Sequence, residues 1–203
     1  MKNAVIIGLT GQSGAGKTTV SRYFSDKGFA VINCDLVARN VTDTGSDCNK
    51  ELAEFFPECF DEQYTLDRKA LGKVVFSNSQ KLRQLNDTIF PYITKEIQAE
   101  IKGLEDEGNE FIILDAPTLF EAGVDRICDC IISCMALEEI RAKRIAQRDK
   151  LPMEEILDRF ASQKSEEFFR KNSDFIIENN SDERNAFLQC DEIIDNIKRK
   201  FNG

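Results

Sequence analysis

The segment Gly11-Gln12-Ser13-Gly14-Ala15-Gly16-Lys17-Thr18 carries the spacing G-x-x-x-x-G-K-T, which suits the binding of a polyphosphate. Glycines allow a tight turn and close backbone approach, and the helix that follows aims its N-terminal amides at the anion. The amides of Gly14, Ala15, Gly16 and Lys17 would cradle the phosphates of a nucleotide. Lys17 would reach the β and γ oxygens, the Thr18 hydroxyl would ligate magnesium, and Thr19 would lie in the first turn. Phosphoryl transfer then needs charge neutralisation, in-line positioning and a group to take the acceptor's proton.

Other side chains could supply those needs. Asp35 follows Val31-Ile32-Asn33-Cys34 and could accept a hydroxyl proton, or could cap a helix beginning at Leu36. Asp115 ends Phe111-Ile112-Ile113-Leu114, the form of a Walker B strand that helps hold magnesium, often through water. Arg141, Arg144 and Arg148 recur three and four apart on a helix. Such a stripe is either a solvated face paired with Glu138 and Glu139, or a lid that clamps phosphates and excludes water. Arg144, at its centre, is assigned to the lid, and Arg141 to exposure and pairing.

The elements that must position these groups are legible as short apolar runs. Ala4 to Leu9, Phe29 to Asn33, Phe111 to Leu114, Cys128 to Met135 and Phe175 to Ile177 are rich in Ile and Val and alternate with helical segments. They predict an α/β fold with a parallel sheet of about five strands. Right-handed crossovers bring functional loops to the carboxyl ends of the strands, where Lys17, Asp35 and Asp115 fall. Lys27-Gly28 should stop the first helix. Residues 36–110 show helical signals and no convincing strand, which predicts an inserted helical lobe within one domain spanning 1–203, with a lid over about 141–160. In the lobe Asp67 should cap a helix over Arg68 to Phe76, Asn78 or Ser79 another, and Pro91 should open a third with a stripe of Ile93, Ile97, Ile101 and Leu104. The seam Phe187, Cys190, Ile194, Ile197 and Phe201 predicts a C-terminal helix docked on the sheet.

Composition removes whole classes of function. The chain has no histidine, so Ser-His and Cys-His nucleophile pairs and His-based zinc sites are excluded. A net charge of -9 argues against a broad basic surface for nucleic acid or anionic membrane. The seven cysteines are odd in number and scattered, unlike a disulfide framework. Cys128, Cys130 and Cys134 share one strand face with Ile132 and suit core packing better than a thiolate metal site. No apolar run is long enough to span a bilayer, and the first strand begins directly after Met1-Lys2-Asn3, so the expected location is the cytoplasm.

Several segments in order resemble the dephospho-CoA kinase family: Gly8-Leu9-Thr10-Gly11 entering the loop, Asn33-Cys34-Asp35 with Ala38-Arg39, Leu66-Asp67-Arg68, Leu85-Asn86 before Pro91, Asp115-Ala116-Pro117-Thr118-Leu119-Phe120-Glu121, Arg144 with Gln147-Arg148, Arg159 with Ala161-Ser162-Gln163, and Asp174 with Ile177-Glu178-Asn179-Asn180. The resemblance implies ATP-dependent phosphorylation of the ribose 3'-hydroxyl of dephospho-CoA on a P-loop nucleotide-kinase core with an acceptor-binding lobe and a lid. It implies Asp35 as general base, Arg144 and Arg148 as ATP-binding, and Asp35, Arg39, Arg68, Asp115 and Pro117 as acceptor-binding. Magnesium would come with ATP, held by Thr18 and Asp115. The chain departs from the family at Asn33-Cys34, where Asp-Ala is usual, at Phe90 for His, at Thr118 for Leu, and at Phe168 or Phe169 near a usual Lys.

Another small-molecule or nucleoside monophosphate kinase on the same core is the alternative enzyme. A GTPase-like switch is disfavoured because Asp-x-x-Gly is absent and Asn49-Lys50 is followed by Leu52 where guanine recognition would want Asp. An idle nucleotide-binding scaffold fits poorly with Lys17, Thr18 and Asp35 together.

Overall fold

The computed structural model describes residues 4–202, with Asn202 described by its backbone alone. Met1-Lys2-Asn3, on which part of the expected cytoplasmic location rests, lies outside the described residues.

The chain order is β1 (Val5–Gly11), α1 (Lys17–Asp26), β2 (Ala30–Asn33), α2 (Cys34–Asn40), α3 (Asp47–Phe55), α4 (Arg68–Phe76), α5 (Ser79–Asp106) and β3 (Phe111–Asp115), then β4 (Cys130–Met135), α6 (Glu138–Asp149), α7 (Met153–Ala161), α8 (Glu166–Asn172), β5 (Phe175–Glu178) and α9 (Glu183–Asn202). The strands form one sheet in the order β2-β3-β1-β4-β5. β1 lies parallel to both β3 and β4, and β4 is parallel to β5. The two central runs of β1 and β3 are buried at every residue, which is why they read as continuous apolar stretches rather than alternating ones.

By its internal contacts the chain forms two compact units, one of residues up to 31 with 104 onward, the other of residues 32–103. The first is built on Ile7, Leu9, Ile113, Ile132 and Ile177 of the sheet, covered by Phe24 of α1 and by Cys190, Ile194 and Ile197 of α9. Fully burying each such aliphatic side chain is worth about 1.5–3 kcal/mol. α9 therefore docks by the seam expected of it, and Phe187 stacks on Tyr23 of α1 with ring centroids 4.2 Å apart. α1 stops at Lys27 and Gly28: Gly28 N donates to Ser25 O and Phe29 N to Phe24 O, while the rings of Phe24 and Phe29 meet edge-on at 5.3 Å. That is a Schellman stop with its apolar clasp, and it turns the chain directly into β2.

The second unit is helical around Cys48, Leu52, Phe56, Cys59, Leu71 and Val75, with Leu82, Leu85, Ile89 and Tyr92 packed against them. Beyond the end of β2, an isolated bridge, Phe60 to Leu66, joins the loop ahead of α4. Asp67 accepts from Lys69 N and Ala70 N and caps α4, and Asn78 accepts from Gln80 N and Lys81 N ahead of α5.

Three expectations need correction. Pro91 does not open a helix; it lies inside the 28-residue α5. Leu82, Leu85, Ile89 and Tyr92 form one apolar stripe across it, and their packing outweighs a missing backbone bond of about 3 kcal/mol. Ile93 and Ile97 are buried further along α5, whereas Ile101 and Leu104 are half-buried. The helix after β2 begins at Cys34, and Asn33 rather than Asp35 caps it, accepting from Leu36 N at 3.0 Å. Asn holds a cap as well as Asp does, so this departure from the family leaves the turn intact. Cys128 precedes β4, ending a short 3-10 turn where its thiol donates to Val124 O, so only Cys130 and Cys134 share the strand face with Ile132.

Candidate active site

The phosphate loop leaves β1 at Gly11 and enters α1 at Lys17. The N-cap of α1 is Gly16, which offers no side-chain oxygen, and the first turn carries no acidic residue. The helix N-terminus is thus left with amides that an anion can satisfy. Thr18 is exposed in that turn, and Thr19 is half-buried.

The loop is held from beneath through one carbonyl. Ala15 O accepts from Asn179 Nδ2 at 2.8 Å, from Cys134 Sγ at 3.3 Å and from Arg144 Nη1 at 3.4 Å. Burial pushes the Cys134 thiol up to about 12, so it remains a donor. With three donors on it, this carbonyl cannot turn onto the anion that the neighbouring amides face. Gly16 sits at φ 95°, in the left-handed region, and a Cβ there would lie 2.2 Å from Asn179 Nδ2. Side chain and backbone both require glycine.

Lys17 Nζ forms an ion pair with Asp115 Oδ1 at the carboxyl end of β3. Both groups are largely buried, which strengthens their attraction relative to a surface pair. The residues just beyond are fixed as well, since Ala116 N donates to Leu9 O and Thr10 Oγ1 donates to the carbonyl of Pro117.

Within the arginine stripe the three members differ. Arg144 is half-buried, and its Nη1 also reaches Gly14 O at 3.4 Å while Nη2 faces Asn179 Oδ1 at 3.5 Å. Arg148 is exposed and forked on Asp149, which Arg159 also engages at 3.0 Å. Those two cations hold the Asp149 carboxyl down to about 2. Arg141 overturns its expected exposure. It is 5% exposed, with Nε on Ala136 O at 3.0 Å, Nη1 on Ser13 O at 3.5 Å and its guanidinium 4.2 Å from the centroid of the Phe160 ring. An i, i+3, i+7 stripe of arginines looks solvated on paper, but α7 packs over one end of this one.

Asn179, Asn180 and Gln163 have no role legible in the sequence; the structure gives each one. Asn180 Oδ1 accepts from Leu137 N at 2.7 Å, at the start of α6, and Gln163 Oε1 accepts from Ser13 N at 3.2 Å. Phe168 and Phe169 form an aromatic trio with Phe120, with Phe120 and Phe168 edge-to-face at 5.1 Å. Lys164 Nζ lies 5.0 Å from the centroid of the Phe168 ring.

In the helical unit, Asp35 is an exposed residue in the first turn of α2. Arg68 donates to Arg39 O at 3.2 Å and to Thr42 Oγ1 at 2.6 Å, which fixes its side chain against the loop after α2.

As for metal, the described residues hold no group of three or more His, Cys, Asp or Glu side chains able to bind an ion. Thr18 and Asp115 are hard oxygen donors, too few for a resident ion. They fit magnesium, which keeps waters and is bound through one or two protein oxygens plus substrate phosphates.

Sheet order, phosphate loop and the Lys17–Asp115 pair define a P-loop kinase. A family model described as dephospho-CoA kinase matches residues 5–185, and the chain belongs to that family. It is 36% identical over 193 residues to a dephospho-CoA kinase of Fusobacterium nucleatum, covering 95% of this chain and 98% of that one. Among solved structures, TT1252 from Thermus thermophilus superposes with a TM-score of 0.84 at 30% identity, covering 95% of this chain and 97% of the other. A dephospho-CoA kinase from Campylobacter jejuni gives a TM-score of 0.69 at 28% identity, covering 98% and 99%.

Proposed function

We propose that the chain transfers the γ-phosphoryl group of ATP to the ribose 3'-hydroxyl of dephospho-CoA, giving coenzyme A and ADP, the last step of coenzyme A synthesis. The observation that carries this reading is the family match over residues 5–185, which takes in the phosphate loop, Asp35, the helical segment and the arginine stripe.

In this reading the amides of Gly14, Ala15, Gly16 and Lys17, with Thr19 in the first turn, receive the phosphates, and Lys17 neutralises charge on the β and γ oxygens. To do so Lys17 shares its ammonium between Asp115 and the nucleotide. Asp35 takes the proton of the 3'-hydroxyl as its oxygen bonds to the γ-phosphorus, and the bond from that phosphorus to the β–γ bridging oxygen breaks, releasing ADP. Arg144 steadies charge on the transferring group, with Arg148 contributing to ATP binding. Arg39, Arg68, Asp115 and Pro117 serve the acceptor together with Asp35. Thr18 and Asp115 would hold the magnesium that accompanies ATP, which would supply neutralisation of phosphate charge. The reaction belongs in the cytoplasm; no helix among the described residues is long and apolar enough to cross a membrane.

The test is an acceptor panel with ATP and magnesium: dephospho-CoA, AMP, CMP, uridine and a blank without acceptor. Dephospho-CoA should be preferred by a wide margin. Comparable turnover of AMP or a nucleoside would sink the assignment of the acceptor.

A further inference from the structure

We propose that Arg141 is a positioning residue for nucleotide binding, its buried guanidinium fastening α6 and α7 to the phosphate loop through Ser13, Ala136 and Phe160. This rests on reading the loop as the ATP site.

The loop and α6 are in direct backbone contact here: a Cβ on Gly14 would lie 2.8 Å from Arg141 O. Arg141 then secures that contact on two sides. Nε donates to Ala136 O just ahead of α6, Nη1 donates to Ser13 O in the loop, and the plane of the guanidinium is covered by the ring of Phe160 in α7. A second bond closes the circuit, because Gln163, two residues past the end of α7, accepts from Ser13 N. Ser13 is therefore gripped at both its N–H and its C=O by side chains roughly 130 and 150 residues distant in sequence. Phe160 and Gln163 flank the end of α7, so whatever holds α7 also sets the loop.

The charge balance supports a role beyond packing. A buried cation is costly unless paired and hydrogen-bonded. Among the described residues no carboxylate forms an ion pair with Arg141; Glu138 on its own helix and Glu166 at the start of α8 act on it from a distance, and burial holds its pKa below the ordinary arginine value. Its charge is met by two carbonyls and a ring face rather than by a counter-ion. An unneutralised cation beside Ser13 adds to the positive field that a polyphosphate meets in the loop, while its fork holds the loop's shape.

The experiment titrates wild type and variants with a fluorescent ADP analogue in the absence of acceptor, and measures kcat, KM for ATP, KM for acceptor and Tm on the same preparations. Arg141→Met should weaken ADP binding and raise KM for ATP by about tenfold or more, leaving KM for the acceptor unchanged. Arg141→Lys, which keeps the charge but loses the fork, should recover part of that loss. Phe160→Leu removes only the stacked ring and should weaken ADP binding by about threefold. A folded Arg141→Met with wild-type ADP affinity and KM for ATP, whatever its Tm, overturns the proposal. If that variant does not fold, unchanged ADP affinity in Phe160→Leu overturns it instead. Failure of the wild-type protein to bind ADP would overturn the ATP-site reading itself, a distinct result.

Discussion

Asn179 and Gly16 are fitted against each other so closely that the space of one methyl group decides the contact. Nδ2 of Asn179 stands 2.2 Å from where a Cβ on Gly16 would be, and the same amide donates to the adjoining Ala15 carbonyl at 2.8 Å. Asn179 follows β5, and its own backbone N donates to Met135 O at the end of β4. The loop that should receive ATP is thus seated on the carboxyl edge of the sheet through one asparagine, 95% buried.

It follows that Gly16→Ala should be severely impaired in nucleotide binding. The left-handed φ costs a non-glycine residue about 1–2 kcal/mol, and the methyl must in addition displace the Asn179 amide. We expect ADP affinity to fall by about tenfold or more, with Tm lowered, and Asn179→Ala in the same chain to restore part of the stability by making room. Titration of both variants decides the matter; wild-type affinity in Gly16→Ala would mean the loop bends freely and the fit is unimportant.

A different outcome is expected at Lys17. Lys17→Ala should lower kcat by about a hundredfold or more, because in the proposed reaction the ammonium neutralises charge that grows in the transition state. The same change leaves the Asp115 carboxylate, largely buried, without its ion-pair partner, so Tm should drop modestly while the circular dichroism of the sheet and helices is retained. A well-folded Lys17→Ala protein with near-normal turnover would show that this lysine does not take part in the reaction.

The readable parts of the fold and site are those encoded locally. The five strand runs, the glycine spacing of the loop, the Asp67 cap and the stop at Gly28 are written within a few residues of where they act. What could not be read is long-range. Ser13 meets Gln163 across 150 positions and Ala15 meets Asn179 across 164, and no spacing rule connects such pairs. The burial of Arg141 is not legible in sequence because a helical stripe of arginines is ordinarily solvated, and only the packing of Phe160 shows that one of them is buried. Pro91 shows the converse: a strong local breaker is overruled by an apolar stripe that continues on both sides of it.

Arg144 and Arg148 should separate cleanly. Arg144 touches the carbonyls of Gly14 and Ala15, so its charge lies against the phosphate loop, whereas Arg148 is exposed and forked on Asp149. Arg144→Ala should reduce kcat more than it raises KM for ATP, by about tenfold or more in kcat, since such an arginine acts chiefly in the transition state. Arg148→Ala should change either constant by no more than about threefold, because Asp149 already occupies its fork. Equal behaviour of the two variants in steady-state kinetics would return Arg144 to the role of a helix-face residue.

Asp35 offers the sharpest division between chemistry and structure, because the capping role is already filled. Asn33 accepts from Leu36 N at the start of α2, and Asp35 stands one position inside the helix. Asp35→Asn therefore leaves the cap untouched, and the lost interaction of a first-turn carboxylate with the helix dipole is worth about 0.3–1 kcal/mol. If Asp35 accepts the ribose proton, kcat should fall by about a hundredfold or more while ADP affinity and Tm stay close to wild type. Asn33→Ala supplies the reverse pattern: loss of the cap should cost about 1 kcal/mol of stability, with the chemical step far less affected than in Asp35→Asn. Measuring kcat and Tm on both variants tests the assignment, and a stable Asp35→Asn enzyme with near wild-type kcat would defeat the general-base role.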